Sequence, residues 1–302
     1  MHWLGVDMGG TATRWVACDA TGQPRARGVA PGASALENAV DRQKFNRVLS
    51  QIVSECPAKI QGAVLGLTGS GLAPGAAFVA ESASVLGLPQ DRVLILNDMV
   101  LAWHAVYPHG GGHLIAGGTG SVGLSISPSG QMTLVGGRGT LIDDAGSGAW
   151  IALQAVRRLW RIIDAHGAPV GAEVLAHHLF AAIGGTAWDD TQRAIYAGDR
   201  GKIGALATAV ADAAQDGDPL ALATMTRAGE ELARLAHDLI SRCGPAPVGL
   251  IGGVLALHPS IQAAFEAAFE AALPDVQPFY PSPDAAAYAA SMALTHFPPE
   301  VP

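Results

Sequence analysis

The sequence predicts an α/β protein of two domains, and three observations support this prediction. An apolar strand, a glycine-rich loop and a second strand occur in the same order twice, first from Leu4 and again from His113. Strand-like runs alternate with longer helical patterns, which is typical of sheets covered by helices. The chain has 302 residues, of which 49% are apolar and 15% charged, so it can bury a sizeable core.

The first half opens with a hairpin. Leu4–Asp7 is predicted to be a strand, Gly9–Thr13 a tight loop and Arg14–Asp19 a second strand, with a turn at Ala20-Thr21-Gly22-Gln23. The later elements of this half are a helix around Leu36–Cys56, a buried strand at Ala63–Leu67, a helix near Ala76–Leu86, a strand at Val93–Leu96 and a helix that opens at Asp98.

The second half repeats this beginning and continues with long helices. Its predicted elements are strands at His113–Ala116, Val122–Ser127 and Met132–Val135, helices at Gly148–Ala165 and Pro219–Ser241, a strand at Val248–Ile251 and a last helix from Asp284. A repeat separated by about a hundred residues indicates two related domains facing one another and not a solenoid. We expect domains at 1–111 and 112–302, with the last helix, near 284–296, packing back on the first domain.

Composition excludes several classes of function. The formal net charge is -8 and the isoelectric point is near 5.6, so neither nucleic acid nor an anionic membrane surface is an expected partner. Cys18, Cys56 and Cys243 lie far apart and form no CxxC, which predicts free thiols in a reducing compartment. The first residues lack a basic segment, and Pro74 and Glu81 interrupt the most apolar stretch. We therefore expect no signal peptide, no membrane span and a cytoplasmic location.

The two glycine-rich loops suit phosphate binding. Backbone amides approach phosphate closely where no Cβ intervenes, and hydroxyl groups add further donors. Asp7, at a strand end beside the first loop, is a candidate to hold Mg²⁺ through water. The candidate donors are Gly9, Gly10, Thr11 and Thr13 in the first loop and Gly118, Thr119, Gly120 and Ser121 in the second.

The second loop also matches the dinucleotide-binding pattern GxGxxG at Gly118–Gly123. That fingerprint requires a helix after the loop, whereas the following VGLSIS alternates as a strand does. No GxxxxGK[ST] sequence occurs, which argues against a P-loop enzyme. Paired glycine-rich hairpins, one in each domain, instead predict a nucleotide clamped between the two domains.

These motifs together resemble the actin-like ATPase and sugar kinase superfamily. The matching segments are Asp7-Met8-Gly9-Gly10-Thr11, Leu96-Asn97-Asp98, Gly118-Thr119-Gly120-Ser121 and Gly252-Gly253. In addition, GGRGTLIDDAGSGAWIALQAV is similar to the GGWG…GDEGS.YWI signature of N-acetylglucosamine and glucosamine kinases and of the wider BadF/BadG ATPase family. The resemblance implies two ribonuclease H-like, actin-like ATPase domains with a nucleotide cleft between them.

The resemblance also implies an activity. An ATP-dependent kinase of this type uses ATP and Mg²⁺ to phosphorylate the 6-hydroxyl of an amino sugar, and a homodimer is usual in the family. Asp98 would accept the proton of the sugar hydroxyl, and Gly252 and Gly253 would lie against adenosine. The implied sugar-binding residues are Asn97, Asp98, Gly137, Asp143 and Asp144.

Some positions depart from the family pattern. Asp143 and Ala145 stand where GDEGS has glycine and glutamate, and Arg138 replaces an aromatic residue. The segment Gly32–Ala35 lacks the asparagine that N-acetylglucosamine kinases often place near the sugar. The acceptor therefore stays open among N-acetylglucosamine, glucosamine, a muramic acid derivative and another hexose.

Other interpretations remain for the chain and for single residues. An ATP-hydrolysing activator of the BadF/BadG type would act on a protein partner, although the cysteines do not resemble the iron–sulfur motif of such activators. A sugar-sensing repressor would need a DNA-binding module before the first loop, where we expect no room for one. Asp7 and Asp98 could merely cap a turn and a helix, and Asp143 or Asp144 could merely favour a helix N-terminus.

Overall fold

The computed structural model describes residues 1–34, 39–71, 75–273 and 276–299. The predicted helix start at Leu36 and residue Ala35 lie outside these ranges. The chain forms two compact units, one of Met1–His109 with Ser282–Pro302 and one of Gly110–Pro281.

The first unit is built on a mixed sheet with helices on its faces. Its described strands, in sheet order, are β3 (Pro24–Pro31), β2 (Ala12–Cys18), β1 (His2–Met8), β4 (Ile60–Leu67) and β5 (Val93–Asn97). Its helices are α1 (Ala39–Glu55), α2 (Ala76–Leu86), α3 (Asp98–Val106) and α11 (Ala285–His296). Strands β1 to β3 are antiparallel, and β4 and β5 run parallel to β1.

The last helix completes the core of the first unit. Alanines of α11 pack with Trp3 and Val64 on one face of the sheet, while α1 and α2 cover the other face through Phe45 and Phe78. A Cβ built on Gly5 would overlap the backbone of α11 at Ala290. Glycine in β1 therefore allows the small-residue face of α11 to lie directly on the strand.

The second unit repeats the same sheet topology. Its described strands, in sheet order, are β10 (Pro278–Phe279), β9 (Val248–Ile251), β6 (His113–Gly117), β7 (Ser121–Ile126) and β8 (Met132–Gly136). Its helices are α4 (Gly148–His166), α5 (Glu173–Ile183), α6 (Trp188–Tyr196), α7 (Arg200–Ala205), α8 (Ala207–Gln215), α9 (Pro219–Cys243) and α10 (Pro259–Ala272). The strands β6, β7 and β8 are antiparallel, and β9 is parallel to β6, as β4 is to β1 in the first unit.

Several elements had no clear signal in the sequence. Strand β3 has mostly exposed or half-exposed side chains and two arginines, so it lacks the apolar alternation of a half-buried strand. Helices α5 to α8 are short, and alanine provides many of their buried contacts. Cys18, Cys56 and Cys243 are free thiols, of which Cys18 is buried. Within the described ranges, no helix has both the length and the apolar character to cross a membrane.

Candidate functional site

The first glycine-rich loop joins β1 to β2 and is held by backbone hydrogen bonds. The amide of Gly9 donates to the carbonyl of Ala12 at 3.0 Å, which closes the loop. After β3 the chain returns, and the amides of Gly32 and Ala33 donate to the carbonyls of Thr11 and Gly9. The carbonyl groups of Gly9 and Thr11 are thus hydrogen-bonded to the protein's own backbone.

The amide side of this loop is open. Gly10 and Thr11 are exposed, and among the described residues neither of their amides donates a hydrogen bond. A Cβ on Gly10 would meet nothing within 4 Å, whereas one on Gly32 would overlap the backbone of Gly10. The loop therefore offers two neighbouring amide donors on a braced backbone, which is the arrangement an anion needs.

Thr13 does not share this open side. Its side chain is fully buried, and its hydroxyl donates to the carbonyl of Pro31 at 2.9 Å. The prediction that Thr13 donates to phosphate is therefore corrected: its hydroxyl hydrogen is used to join β2 to the end of β3. Sequence spacing could not separate it from Thr11, because the strand begins between the two threonines.

Two carboxylates lie at the same edge of the first sheet. Asp7 in β1 is in register with Gly66 in β4, which pairs with Leu96 in β5, and Asp98 begins α3 directly after β5. Burial, and then the negative charge of Asp98, raise the pKa of Asp7 to about 6, while Arg14 on the neighbouring strand acts in the opposite direction. The two acidic side chains are therefore close enough to repel one another.

Asn97 has a local role in this arrangement. It is the N-cap of α3, and its side-chain oxygen accepts a hydrogen bond from the amide of Met99 at 3.0 Å. The cap that the sequence offered as an alternative role for Asp98 thus belongs chiefly to Asn97, although Oδ1 of Asp98 also lies 2.9 Å from the same amide. The cap fixes where α3 begins and hence where the carboxylate of Asp98 stands.

The second glycine-rich loop has the same plan as the first. The amide of Gly118 donates to the carbonyl of Gly120 at 2.8 Å, and the carbonyls of Gly118 and Thr119 accept from the amides of Gly148 and Ala149 at the start of α4. In the described part of the chain, the amides of Thr119 and Gly120 donate no hydrogen bond. Each unit therefore carries one loop whose carbonyls accept hydrogen bonds from the protein. In the ranges that the structure describes, two adjacent amides of each loop donate none.

Residues 136–156, the segment that resembles the kinase signature, account for the hydrogen bonds that hold this loop. Ser147 caps α4 by accepting from the amide of Trp150. Ser121 is buried, and its hydroxyl donates to the carbonyl of Ala145 at 2.6 Å. The prediction that the Ser121 hydroxyl donates a hydrogen bond to phosphate is therefore corrected. This hydroxyl instead joins β7 to the turn before α4.

The glycine pair after β9 lies beside the second loop. Gly252 has φ of +110°, and a Cβ built there would overlap the backbone of Gly117, the last residue of β6. Gly253 is exposed, and a Cβ there would meet nothing within 4 Å. Close backbone contact thus requires glycine at 252, and an open surface follows at 253.

The carboxylate of Asp144 is hydrogen-bonded to other groups of the protein. Its side chain is 1% exposed; Oδ2 accepts from Nη2 of Arg200 at 2.7 Å and Oδ1 accepts from the amide of Gly139 at 3.2 Å. Both oxygens of the carboxylate therefore have partners without a sugar, which argues against its predicted role as a sugar ligand. Arg200 escaped the sequence reasoning because it lies 56 positions away in α7 and belongs to no motif.

Asp143 and Gly137 are less enclosed. Asp143 accepts from the amide of Ala145 and lies 3.4 Å from Nη2 of Arg234, an arginine that also pairs with two acids of α9. Gly137 follows β8 with φ of +64°, and its amide donates to the carbonyl of Ser121. These contacts account for the local conformation. The sugar-binding roles of Asp143 and Gly137 stay predictions.

A metal ion would find few ligands from the protein alone. Among the described residues there is no group of three or more histidine, cysteine, aspartate or glutamate side chains placed to hold one. Mg²⁺ characteristically takes one or two carboxylates and completes its shell with water and substrate phosphate. The pair Asp7 and Asp98 beside the open amides of the first loop fits that requirement.

Comparison with known proteins identifies the family. The model of the BadF/BadG/BcrA/BcrD ATPase family matches residues 4–280. The chain belongs to this family. The family resemblance inferred from the sequence motifs is therefore confirmed, and the match includes both loops and the two acids of the first unit.

Solved structures resemble this member of the BadF/BadG/BcrA/BcrD family along almost its whole length. A candidate N-acetylglucosamine kinase from Chromobacterium violaceum is 26% identical, with a TM-score of 0.75 over 97% of this chain and 98% of that one. A candidate N-acetylglucosamine kinase from Porphyromonas gingivalis is 16% identical with a TM-score of 0.74, over 97% and 98% of the two chains. A ROK family glucokinase from Streptomyces griseus, solved with glucose and AMPPNP, is 18% identical with a TM-score of 0.61, over 98% and 100%. The predicted two-domain α/β fold of the actin-like sugar kinases is confirmed.

Proposed function

We propose that this protein is an ATP-dependent kinase that phosphorylates the 6-hydroxyl of an amino sugar, N-acetylglucosamine or glucosamine. The observation that supports this most strongly is that Asp7 and Asp98 lie at the same sheet edge, where the charge of Asp98 acts on Asp7, and that Asp7 precedes a loop with open amides. Phosphoryl transfer needs donors for phosphate oxygens, a metal and a carboxylate that orients the attacking hydroxyl. Membership of an ATPase family supports ATP as the phosphate donor.

The residues of the first unit divide these tasks. The amides of Gly10 and Thr11 bind phosphate oxygens, and Asp7 holds Mg²⁺ through water. Asp98 accepts a hydrogen bond from the sugar hydroxyl and takes its proton as the phosphate is transferred. Positioning of the hydroxyl contributes more than early deprotonation if the transition state is loose. Mg²⁺, when bound, supplies positive charge that offsets the repulsion between the two carboxylates.

The second unit carries candidate phosphate-binding amides and a candidate surface for adenosine of its own. The amides of Thr119 and Gly120 are candidates for phosphate contacts, whereas the amide of Gly118, also predicted as a donor, bonds the carbonyl of Gly120. The open backbone at Gly253 suits the close approach of a flat base. Gly252 supports that surface by packing on β6. Glycines at these places allow ligand atoms to come within hydrogen-bonding distance of the main chain.

The amino-sugar assignment is supported by the candidate N-acetylglucosamine kinases with which this chain shares its fold, one of them at 26% identity. Asn97, Gly137 and Asp143 remain candidates for contact with the sugar. Asp143 and Ala145, where the family signature has glycine and glutamate, lie next to Asp144 and are expected to decide which amino sugar is preferred. The protein is expected to work in the cytoplasm, with no nucleic-acid partner; a homodimer is usual in the family.

A panel assay tests this proposal. Release of ADP from Mg²⁺-ATP is followed with N-acetylglucosamine, glucosamine, N-acetylmuramic acid and glucose. We expect a low rate without sugar and strong acceleration by one amino sugar. A high rate that no sugar changes would contradict the proposal and favour an ATP-hydrolysing activator that acts on a protein partner.

A further inference from the structure

We propose that Arg200 binds a terminal phosphate of ATP beside the amides of Thr119 and Gly120, and that Asp144 holds its guanidinium group in place. This inference rests on the proposed use of ATP but adds a residue that none of the sequence motifs contains. Arg200 is the first residue of α7, a helix of the second unit.

The guanidinium group of Arg200 lies against the second loop. A Cβ built on Gly120 would overlap Nη2 of Arg200 and would lie 3.0 Å from Oδ2 of Asp144. Glycine at this position therefore does more than free the loop amides, because it makes room for the charged pair. Any larger residue at position 120 would have to push the guanidinium group off the loop.

The helix that carries Arg200 touches the loop at a second point. A Cβ built on Gly204 would come within 3.1 Å of the methyl group of Thr119. The start of α4 approaches the same helix, since a Cβ on Gly148 would lie 3.2 Å from the carbonyl of Gly204. Gly204 thus lets α7 pack directly against the loop, and Gly148 lets α4 pack against α7. Both contacts help to fix the position of Arg200 relative to the loop amides.

Asp144 is suited to orient Arg200. Its side chain is 1% exposed, whereas that of Arg200 is 49% exposed. A buried carboxylate is costly unless it is paired and hydrogen-bonded, and here both of its oxygens are satisfied, by Arg200 and by the amide of Gly139. The ion pair therefore has a buried anionic end and an exposed cationic end at the loop surface.

The exposed end has the chemistry of a phosphate ligand. A guanidinium group carries five N–H donors in a planar fork, and it remains charged at any ordinary pH. Within the described residues, Asp144 is the one side chain that Arg200 bonds. Donors that face the loop surface can bind phosphate oxygens in a bidentate manner, which a lysine cannot reproduce. The amides of Thr119 and Gly120 and the guanidinium group of Arg200 would bind the same anion.

The alternative explanation is that the ion pair of Arg200 and Asp144 only stabilises the fold. Measurements of nucleotide affinity distinguish this role from phosphate binding. Affinities for Mg²⁺-ATP and for AMP are measured by calorimetry, without sugar, for the wild type, Arg200→Gln and Arg200→Lys. Arg193→Gln is the matched control, because Arg193 is an exposed arginine of the same unit that pairs with Asp190 in its own helix. Thermal melting of each variant reports whether the fold is retained.

We expect Arg200→Gln to weaken ATP binding about 10- to 100-fold, the range that corresponds to losing hydrogen bonds to a charged group. AMP binding should be unchanged, because AMP lacks the terminal phosphates. Arg200→Lys should lose less than Arg200→Gln, and Arg193→Gln should behave as the wild type. If Arg200→Gln does not fold, the lysine variant decides, since a structural pair would retain full ATP affinity with lysine.

Unchanged ATP affinity in Arg200→Gln, or equal losses for ATP and AMP, would overturn the assignment of Arg200. Failure of the kinase proposal gives a different result. If the wild type binds ATP but no sugar accelerates phosphate transfer, the proposed reaction fails while the comparison of Arg200 variants still decides their role. If the wild type binds no ATP, both proposals fail.

Discussion

Replacement of Asp7 by asparagine should stabilise the protein while abolishing its activity. Burial and the charge of Asp98 raise the pKa of Asp7 from 3.8 to about 6. The folded protein therefore binds this proton more tightly than the unfolded chain does. The free energy of unfolding should fall as the pH rises from about 4 through 6, by up to about 3 kcal/mol for this one group. Asp7→Asn removes the charge that causes this loss.

The assay is urea unfolding of wild type and Asp7→Asn without nucleotide, across the pH range. We expect the variant to be more stable by up to about 3 kcal/mol above pH 7, with the difference shrinking towards zero near pH 4. Asp91→Asn is the control, because Asp91 is an exposed aspartate of the same unit, just before β5. Mg²⁺-ATP should raise the melting temperature of the wild type more than that of Asp7→Asn.

A difference in stability that does not change with pH, or a variant less stable than the wild type above pH 7, would refute this reasoning. Either result would mean that Asp7 is not held in a repulsive, partly buried environment. The proposed metal site at this sheet edge would then lack its electrostatic basis.

The remaining predictions concern the proposed catalytic base Asp98, the glycines Gly10 and Gly32 at the first loop, and the buried carboxylate of Asp144. Asp98→Asn should lower the rate of sugar-dependent ADP release by about a hundredfold or more while ATP affinity measured by calorimetry stays the same; a variant as active as the wild type contradicts the assigned role. Gly32→Ala should cost about 1–3 kcal/mol of stability in urea unfolding, because its Cβ would overlap the loop backbone. Gly10→Ala should leave stability unchanged but weaken ATP binding, and equal stability losses in the two variants would contradict the distinction. Asp144→Asn should weaken ATP binding without changing KM for the sugar, and the opposite pattern in steady-state kinetics would restore its role as a sugar ligand.

The sequence was most informative where a local pattern determines the structure. An apolar strand that carries Asp7 and is followed by Gly9 and Gly10 predicts a tight glycine-rich loop, and the second loop repeats this pattern. The order of Leu96, Asn97 and Asp98 places an acid at a helix start after a parallel strand. Because the carboxyl ends of parallel strands meet at one sheet edge, the approach of Asp98 to Asp7 also follows from topology.

The sequence was least informative where long-range packing decides the role of a side chain. Thr13 and Ser121 look like loop donors, yet each hydroxyl donates to a buried backbone carbonyl. Asp144 looks like a ligand within a family signature, yet its partner is Arg200, which only the fold brings to it. Spacing along the chain does not distinguish a polar group that faces a ligand from one that is satisfied inside the protein.

The proposed reaction transfers the terminal phosphate of ATP to an amino sugar whose hydroxyl is oriented and deprotonated by Asp98, at the start of α3. The most direct test is mass spectrometry of the products when the protein, Mg²⁺-ATP and either N-acetylglucosamine or glucosamine are incubated together, for wild type and for Asp98→Asn. We expect a sugar phosphate, with its phosphate on the 6-hydroxyl, in amounts equal to the ADP formed, and almost none with Asp98→Asn. Formation of ADP and inorganic phosphate without any sugar phosphate would contradict it.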